Sequence, residues 1–139
     1  MKKLFLYIFL GLLWCNVGFA KDLGGTELFC KQEGDNYREA TGYSFRNEIT
    51  VAEYYFSDWM LTIAMKAYTV KPDIIRIGSL KITPDNFSME PPFIEINRKT
   101  LRKSNGQLCE IFNDDVDIEV FMQRILDREI KAQESENKL

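Results

Sequence analysis

Histidine is absent from the 139 residues of this chain. Its absence excludes Ser-His-Asp and Cys-His catalysis, and it removes the commonest protein ligand of zinc. Acid–base chemistry near neutral pH would then require a carboxylate, lysine or tyrosine with a shifted pKa. The sequence also lacks a phosphate-binding glycine loop and a Cys-x-x-Cys motif. We therefore predict no catalytic residue, no cofactor and no metal site, and we expect the protein not to be an enzyme.

An excess of basic charge is also missing. Lysine and arginine number 18 against 21 aspartate and glutamate residues, which gives a net charge of −3. No stretch of the chain forms a basic stripe, so we do not expect nucleic acid as a partner.

The main apolar run is too short to cross a bilayer. It covers Leu4–Trp14, eleven residues, whereas a transmembrane helix needs about 20. It follows two lysines and precedes small residues at −3 and −1 of a cleavage site between Ala20 and Lys21, the layout of a secretory signal peptide. Cleavage there would leave 119 residues (139 minus 20), with 16 basic against 21 acidic side chains. We predict an exported protein, periplasmic or secreted, with no stable membrane anchor after cleavage.

Cysteine is scarce, with three residues in the whole chain. Cys15 lies in the predicted signal peptide, and a bacterial lipidation motif would want a small residue where Trp14 stands. The remaining pair, Cys30 and Cys109, predicts one disulfide in an exported protein. Two free thiols or a shared metal are the alternatives, and an oxidising compartment and the absence of histidine disfavour both.

The densest structural signal extends from Phe93 to Phe112. Phe93–Ile96 alternates apolar and polar residues, which is typical of a half-buried strand. Leu101–Lys103 and Leu108–Phe112 read as two further strands. Between them, Asn105-Gly106 predicts a two-residue hairpin turn, because this dipeptide readily supplies two positive φ angles.

The stretch from Ile49 to Val70 permits two interpretations. It can form two strands, Ile49–Phe56 and Met60–Val70, or a single helix with one apolar face. We favour two strands because β-branched and aromatic residues are plentiful. The aromatic side chains between Tyr54 and Tyr68 predict hydrophobic core, with an apolar ligand cavity as the alternative.

Further strands are indicated on both sides of this stretch. Gly42 interrupts one of them and predicts a bulge or a close backbone approach, and a bend or bulge is expected at Gly78-Ser79. The remaining segments are predicted strands at Thr26–Lys31, Tyr37–Phe45, Asp73–Gly78 and Leu80–Thr83, and a predicted loop at Pro84–Pro92.

The pattern changes to helical spacing after Phe112. We predict a helix over Asp115–Ala132 that packs an apolar stripe on the β domain, followed by a frayed tail, Gln133–Leu139. Partner binding or self-pairing through this stripe is the alternative. Acidic residues near the helix start fit capping and the helix dipole, and they lack the spacing of an EF-hand calcium loop. These residues are Asp114, Asp115, Asp117 and Glu119.

Together these signals predict a mainly β, α+β protein. We expect a signal peptide at 1–20, a disulfide-linked β domain at 21–113, and a helix with its tail at 114–139. The β domain is expected to be a small antiparallel barrel or sandwich of about seven to eight strands. The plan resembles that of small periplasmic β-barrel proteins with one disulfide, among them bacterial inhibitors of C-type lysozyme. That family's inhibitory loop is not found at Ala40–Tyr43, so no functional residue is carried over.

Three functional classes follow from these expectations. The first is a non-catalytic exported domain that binds a protein or another component of the cell envelope. The second is a carrier of a small apolar ligand in a β-barrel cavity. The third is an enzyme that uses carboxylate or tyrosine chemistry, which would need a cleft holding two carboxylates of different pKa.

Overall fold

The computed structural model describes residues 23–34 and 37–137. The predicted signal peptide and its cleavage site at Ala20-Lys21 lie outside this part of the chain. Within the described residues, no helix has the length and apolar character needed to cross a membrane.

The protein is mainly an antiparallel sheet of seven strands, followed by one C-terminal helix. The sheet runs in the order β6-β5-β4-β3-β2-β1-β7, and every strand pair is antiparallel. It is not closed, because β6 and β7 meet only through isolated bridges, so the fold is sandwich-like. The strands are β1 Glu27–Lys31, β2 Thr41–Phe45, β3 Thr50–Ser57, β4 Met60–Val70, β5 Ile74–Thr83, β6 Asn86–Asn97 and β7 Leu108–Ile111, and the helix, α1, is Ile118–Glu136.

The two-strand interpretation of the stretch from Ile49 to Val70 is confirmed. β3 and β4 pair along their length, from Thr50 opposite Ala67 to Ser57 opposite Met60. Of the aromatic residues in this stretch, Tyr54 and Tyr68 are buried in the core, whereas Trp59 is about half exposed. β3 is apolar on both faces because the sheet's inner core lies on one side of it and α1 on the other.

Four sequence predictions are wrong. Leu101–Lys103 is not a strand, because Arg102 and Lys103 form only isolated bridges. The segment Tyr37–Phe45 is not one strand, because Tyr37–Glu39 forms a short 3-10 helix before β2. The predicted loop Pro84–Pro92 is mostly strand, since Phe87 and Met89 pair with β5 and the two prolines are tolerated in an edge strand. The predicted tail is helical as far as Glu136, because its glutamine and glutamate residues favour helix.

The inner face of the sheet holds the main core. Tyr43, Phe45 and Tyr68 are buried there, with the Phe45 and Tyr68 rings edge to face at 4.8 Å between centroids. Isoleucines at 77 and 96 extend this core towards β6. Because the two sheet edges approach each other through the segment 101–108, the inner face is covered without a second full sheet.

On the outer face of the sheet, α1 covers β1–β3 and also reaches the start of β4, where Leu61 packs against the same cluster. Ile118, Met122 and Ile125 pack on this half, and Phe121 meets the Phe29 ring edge to face. Gly42 permits this close approach: a Cβ at that position would lie 2.6 Å from the Met122 sulfur. The glycine signal therefore reports close backbone approach, and the apolar stripe packs on the β domain as predicted.

The segment after β6 joins the two ends of the sheet. Cys30 and Cys109, directly opposite each other in β1 and β7, form the disulfide that the sequence predicts. The Asn-Gly turn differs from the prediction, since only Gly106 has a positive φ, of 92°. Lys103 N–H donates to Gln107 O and Gly106 N–H to Lys103 O, which is the pattern of a three-residue loop with a glycine bulge.

The predicted bulge near Gly78 is also present. The pairing of β5 with β6 shifts register between Ile77 and Ser79. Beyond the bulge, pairing of β5 with β4 ends at Ser79 opposite Lys66, although both strands continue. The distal half of the β5–β6 hairpin therefore projects as a two-stranded arm.

Candidate functional site

Two groups of side chains stand out from the rest of the fold. The first is a polar cluster inside the sheet, around Lys103. Its ammonium donates to Thr41 Oγ1 at 3.0 Å and to Gln107 Oε1 at 2.9 Å, and it lies 5.1 Å from the centroid of the Tyr43 ring. Gln107 Nε2 donates in turn to the backbone oxygen of Glu39. The cluster therefore ties the loop of residues 104–106 to β2.

Burial controls the charges in this cluster. It lowers the pKa of Lys103 to about 8, while the nearby Glu53 carboxylate acts in the opposite direction. Burial and then the charge of Glu53 raise the pKa of Tyr43 far above its usual value. The Tyr43 hydroxyl has no hydrogen bond of standard geometry among the described residues, although Glu53 and Thr41 lie close to it.

The cluster combines groups suited to acid–base chemistry, but a substrate cannot reach them. Lys103, Glu53 and Tyr43 are all buried. The cluster therefore suits a structural role, in which its hydrogen bonds hold the loop of residues 104–106 against the sheet. Glu53 is a carboxylate within the otherwise apolar run of β3, and a charged residue in such a run is the signal from which this buried charge could have been predicted.

The second group lies at the turn between β3 and β4. Asp58 and Trp59 form the two-residue loop, with φ angles of 51° and 62°. Two positive φ angles are the requirement of a type I′ turn, a position that asparagine and glycine normally occupy. A tryptophan held there costs on the order of 1–2 kcal/mol, and such strain is concentrated at functional sites.

The strained turn holds Trp59 at the mouth of a cavity of about 280 Å³. The ring is 47% exposed, and the guanidinium carbon of Arg38 lies 4.8 Å from its centroid. The opposite wall is the middle of α1. The lining residues are Tyr37, Arg38, Phe56, Ser57, Asp58, Trp59, Ile125, Leu126 and Glu129, and we call this site the Trp59 cavity.

The lining of the Trp59 cavity combines apolar side chains with several charged ones. Phe56, Ile125 and Leu126 provide apolar surface, while Asp58 and Glu129 bring carboxylates from the turn and from α1. A volume of about 280 Å³ lies just below the range of about 300–1,000 Å³ that is typical of drug-sized ligands. The cavity therefore suits a single large side chain or a small apolar group.

Among the acidic residues before α1, Asp117 is the helix N-cap. Asp117 Oδ1 accepts from Val120 N–H at 3.0 Å, and Glu27 Oε2 lies 3.4 Å from Ile118 N. No group of three potential metal ligands occurs among residues 23–34 and 37–137. From the sequence, an apolar ligand cavity is the alternative interpretation of the aromatic residues between Tyr54 and Tyr68, and two of them, Phe56 and Trp59, line the Trp59 cavity. The walls supplied by Tyr37 and α1 could not be inferred, because they are distant in sequence.

No protein-family model, curated protein sequence or solved structure matches this chain.

Proposed function

We propose that the protein is an exported, non-catalytic binding domain that holds a side chain of a protein partner in the Trp59 cavity. The observation that carries this proposal is the Asp58-Trp59 turn, which accepts backbone strain in order to keep a half-exposed tryptophan at a cavity mouth. Tryptophan, tyrosine and arginine are the residues most enriched at the energetic centres of protein interfaces. All three line this one cavity.

The proposed export has separate support. The signal-peptide pattern of residues 1–20 and the Cys30–Cys109 disulfide are both compatible with an oxidising compartment outside the cytoplasm. A single disulfide that joins the first and last strands of a sheet suits a small domain exposed to that environment.

The carrier function is less well supported. The buried aromatic residues fill the core of the sheet, and the Trp59 cavity holds only about 280 Å³. Its volume suits a side chain better than a lipid-like molecule. The enzyme function has weaker support, because the side chains of the Lys103 cluster that suit acid–base chemistry are buried.

The test replaces Asp58-Trp59 by Asn-Gly, the pair that a type I′ turn prefers. The D58N/W59G variant should fold with unchanged or higher stability, because the strain is removed, but it should lose partner binding. Tagged wild-type and variant proteins are used to capture proteins from the envelope fraction of the producing cell. Binding of each candidate to purified wild-type protein is then followed by the emission of Trp59.

The matched control is Ile49→Ala. Ile49 is 46% exposed, close to the value for Trp59, and it lies in the β2–β3 turn at the opposite end of the sheet. We expect this variant to capture the same partner as the wild type. A partner that binds the Asn-Gly variant as tightly as the wild type would refute the proposal, as would a bound partner that leaves the Trp59 emission unchanged.

A further inference from the structure

The outer face of β4–β6 is a second surface that requires a partner. Register places Ile63 and Met65 on the same side as α1, since they lie opposite Tyr54 and Ala52, which pack against the helix. The pairs Ala67–Gly78 and Ile82–Phe87 continue this side across β5 and β6. Five of the eleven exposed large apolar side chains of the described residues lie there. We call this surface the bare face and define it by those five residues, Ile63, Met65, Ile82, Phe87 and Phe93.

The bare face is continuous across the bulge. A side chain at Gly78 would place its Cβ 2.6 Å from Met89 Cγ and 2.8 Å from Phe93 Cδ1, so both residues lie directly over this glycine. The distal arm is amphipathic. Ile82 and Phe87 point to the outer side, and the Lys81–Glu90 ion pair, at 3.2 Å, occupies alternate positions. An exposed two-stranded arm with one apolar side is marginally stable alone and gains stability from a docked partner.

The charge of the bare face points to a second copy of the same chain. The outward positions of β4–β6 carry one ion pair, Arg76–Glu95, with a single contact of 3.3 Å between nitrogen and oxygen. The positive and negative charges of the bare face therefore balance, so it has no excess charge to attract a partner surface of either sign. A two-fold axis, in contrast, brings apolar surface to apolar surface and lets Arg76 of each copy approach Glu95 of the other.

The thickness of the molecule permits this arrangement. Packed sheets lie about 10 Å apart, and a helix with its side chains is about 10–12 Å in diameter. A sheet that docks on the bare face therefore forms a layer of the same height as α1. The solvent side of α1 carries Gln123, Arg124 and Asp127, all exposed, so it does not offer an apolar surface for the bare face.

We propose that two copies of the chain pair through their bare faces as a symmetric dimer, in which the β4–β6 surfaces pack face to face. Each copy thereby supplies the second layer that α1 provides over β1–β3. The Trp59 cavity is not part of this surface, so the dimer is independent of the binding function proposed above.

The first test is sedimentation velocity of the protein expressed from the full sequence and purified from the envelope fraction, over about 1–200 μM. We expect concentration-dependent dimer formation. Met65→Lys, in the bare face, should weaken dimerisation at least tenfold. The control is Ile111→Lys: Ile111 is 65% exposed on β7, away from the bare face, and its variant should dimerise like the wild type. A wild type that stays monomeric throughout this range would overturn the proposal.

A charge-exchange test keeps the proposal falsifiable if the lysine variant does not fold. Arg76→Glu and Glu95→Arg should each dimerise poorly, because each places like charges opposite one another. An equimolar mixture should recover dimers, since position 76 of one variant then meets the opposite charge at position 95 of the other. No recovery in the mixture, or dimerisation by either variant alone as tight as in the wild type, would exclude this two-fold contact. A lipid that co-purifies on a monomer would instead assign the bare face to lipid.

Discussion

The two halves of the outer sheet face differ in what covers them. Over β1–β3, small residues such as Gly42 and Ala52 lie beneath α1, and Met122 fits against them with no exposed surface. Over β4–β6, Met65 and Phe93 stand on the same side of the same sheet and remain about half exposed. The small residues admit a helix, whereas the large ones fill the space that a helix would need.

This difference shows that the apolar pattern of a strand does not by itself determine whether a helix packs on that strand. β4 has apolar residues at 61, 63, 65 and 67, as a strand beneath a helix would. Only the position of α1, held by Gly42 and the cap at Asp117, decides which apolar residues become core. The bare face is therefore a surface with the composition of an interior and no cover from its own chain.

Removal of α1 should have the largest effect, because it makes the covered half resemble the bare half. Truncation after Asn113 exposes Phe29 and Tyr54 and removes the apolar contacts of the helix. We expect the truncated protein to lose its cooperative unfolding transition, as measured by circular dichroism, and to aggregate, as measured by light scattering. A truncated protein that stays folded and monomeric would show that α1 does not belong to the core.

Two methionines allow a direct comparison of the halves. Met122→Ala, beneath the helix, should lower the free energy of unfolding by about 2–5 kcal/mol, since it leaves a cavity in the core. Met65→Ala, on the bare face and 48% exposed, should change it by about 0.5 kcal/mol or less. Urea unfolding at a concentration where the wild type is monomeric measures both. Equal losses would mean that Met65 has a cover within its own chain.

The disulfide should stabilise the covered half more than the bare half. Cys30 and Cys109 join β1 to β7, and no disulfide ties the β5–β6 arm. Cys109→Ala should lower the free energy of unfolding by about 2–5 kcal/mol, as expected for a native disulfide in a small secreted domain. Hydrogen exchange should then rise first in β1 and β7. An unchanged melting temperature would mean that the bond contributes nothing to stability.

Several parts of the fold could be predicted because they depend on local sequence. The abundance of β-branched and aromatic residues predicted β3 and β4, Gly42 indicated a close approach, and the cysteine pair predicted the disulfide. The second half of β6 was predicted at Phe93–Ile96, but the first half could not be, because Pro91-Pro92 suggests a loop and only the pairing with β5 makes this segment a strand. The Trp59 cavity is assembled from a 3-10 helix, a turn and α1, which are distant in sequence. No pattern within one segment reveals such a site.

The smallest predicted effect concerns pH and the inner face, which both halves share. Lys103 has a pKa of about 8 in the folded protein, against about 10.4 for an unfolded lysine. Between these values the unfolded state binds more protons, so the free energy of unfolding should rise with pH, by about 1–2 kcal/mol from pH 8 to pH 10. Above about pH 10 the raised pKa of Tyr43 should reverse the trend, because tyrosine then ionises only in the unfolded state. Lys103→Met should remove the rise and keep the fall. If urea unfolding gives both proteins the same increase from pH 8 to pH 10, the charge of Lys103 is not suppressed by burial, and the cluster must be open to water.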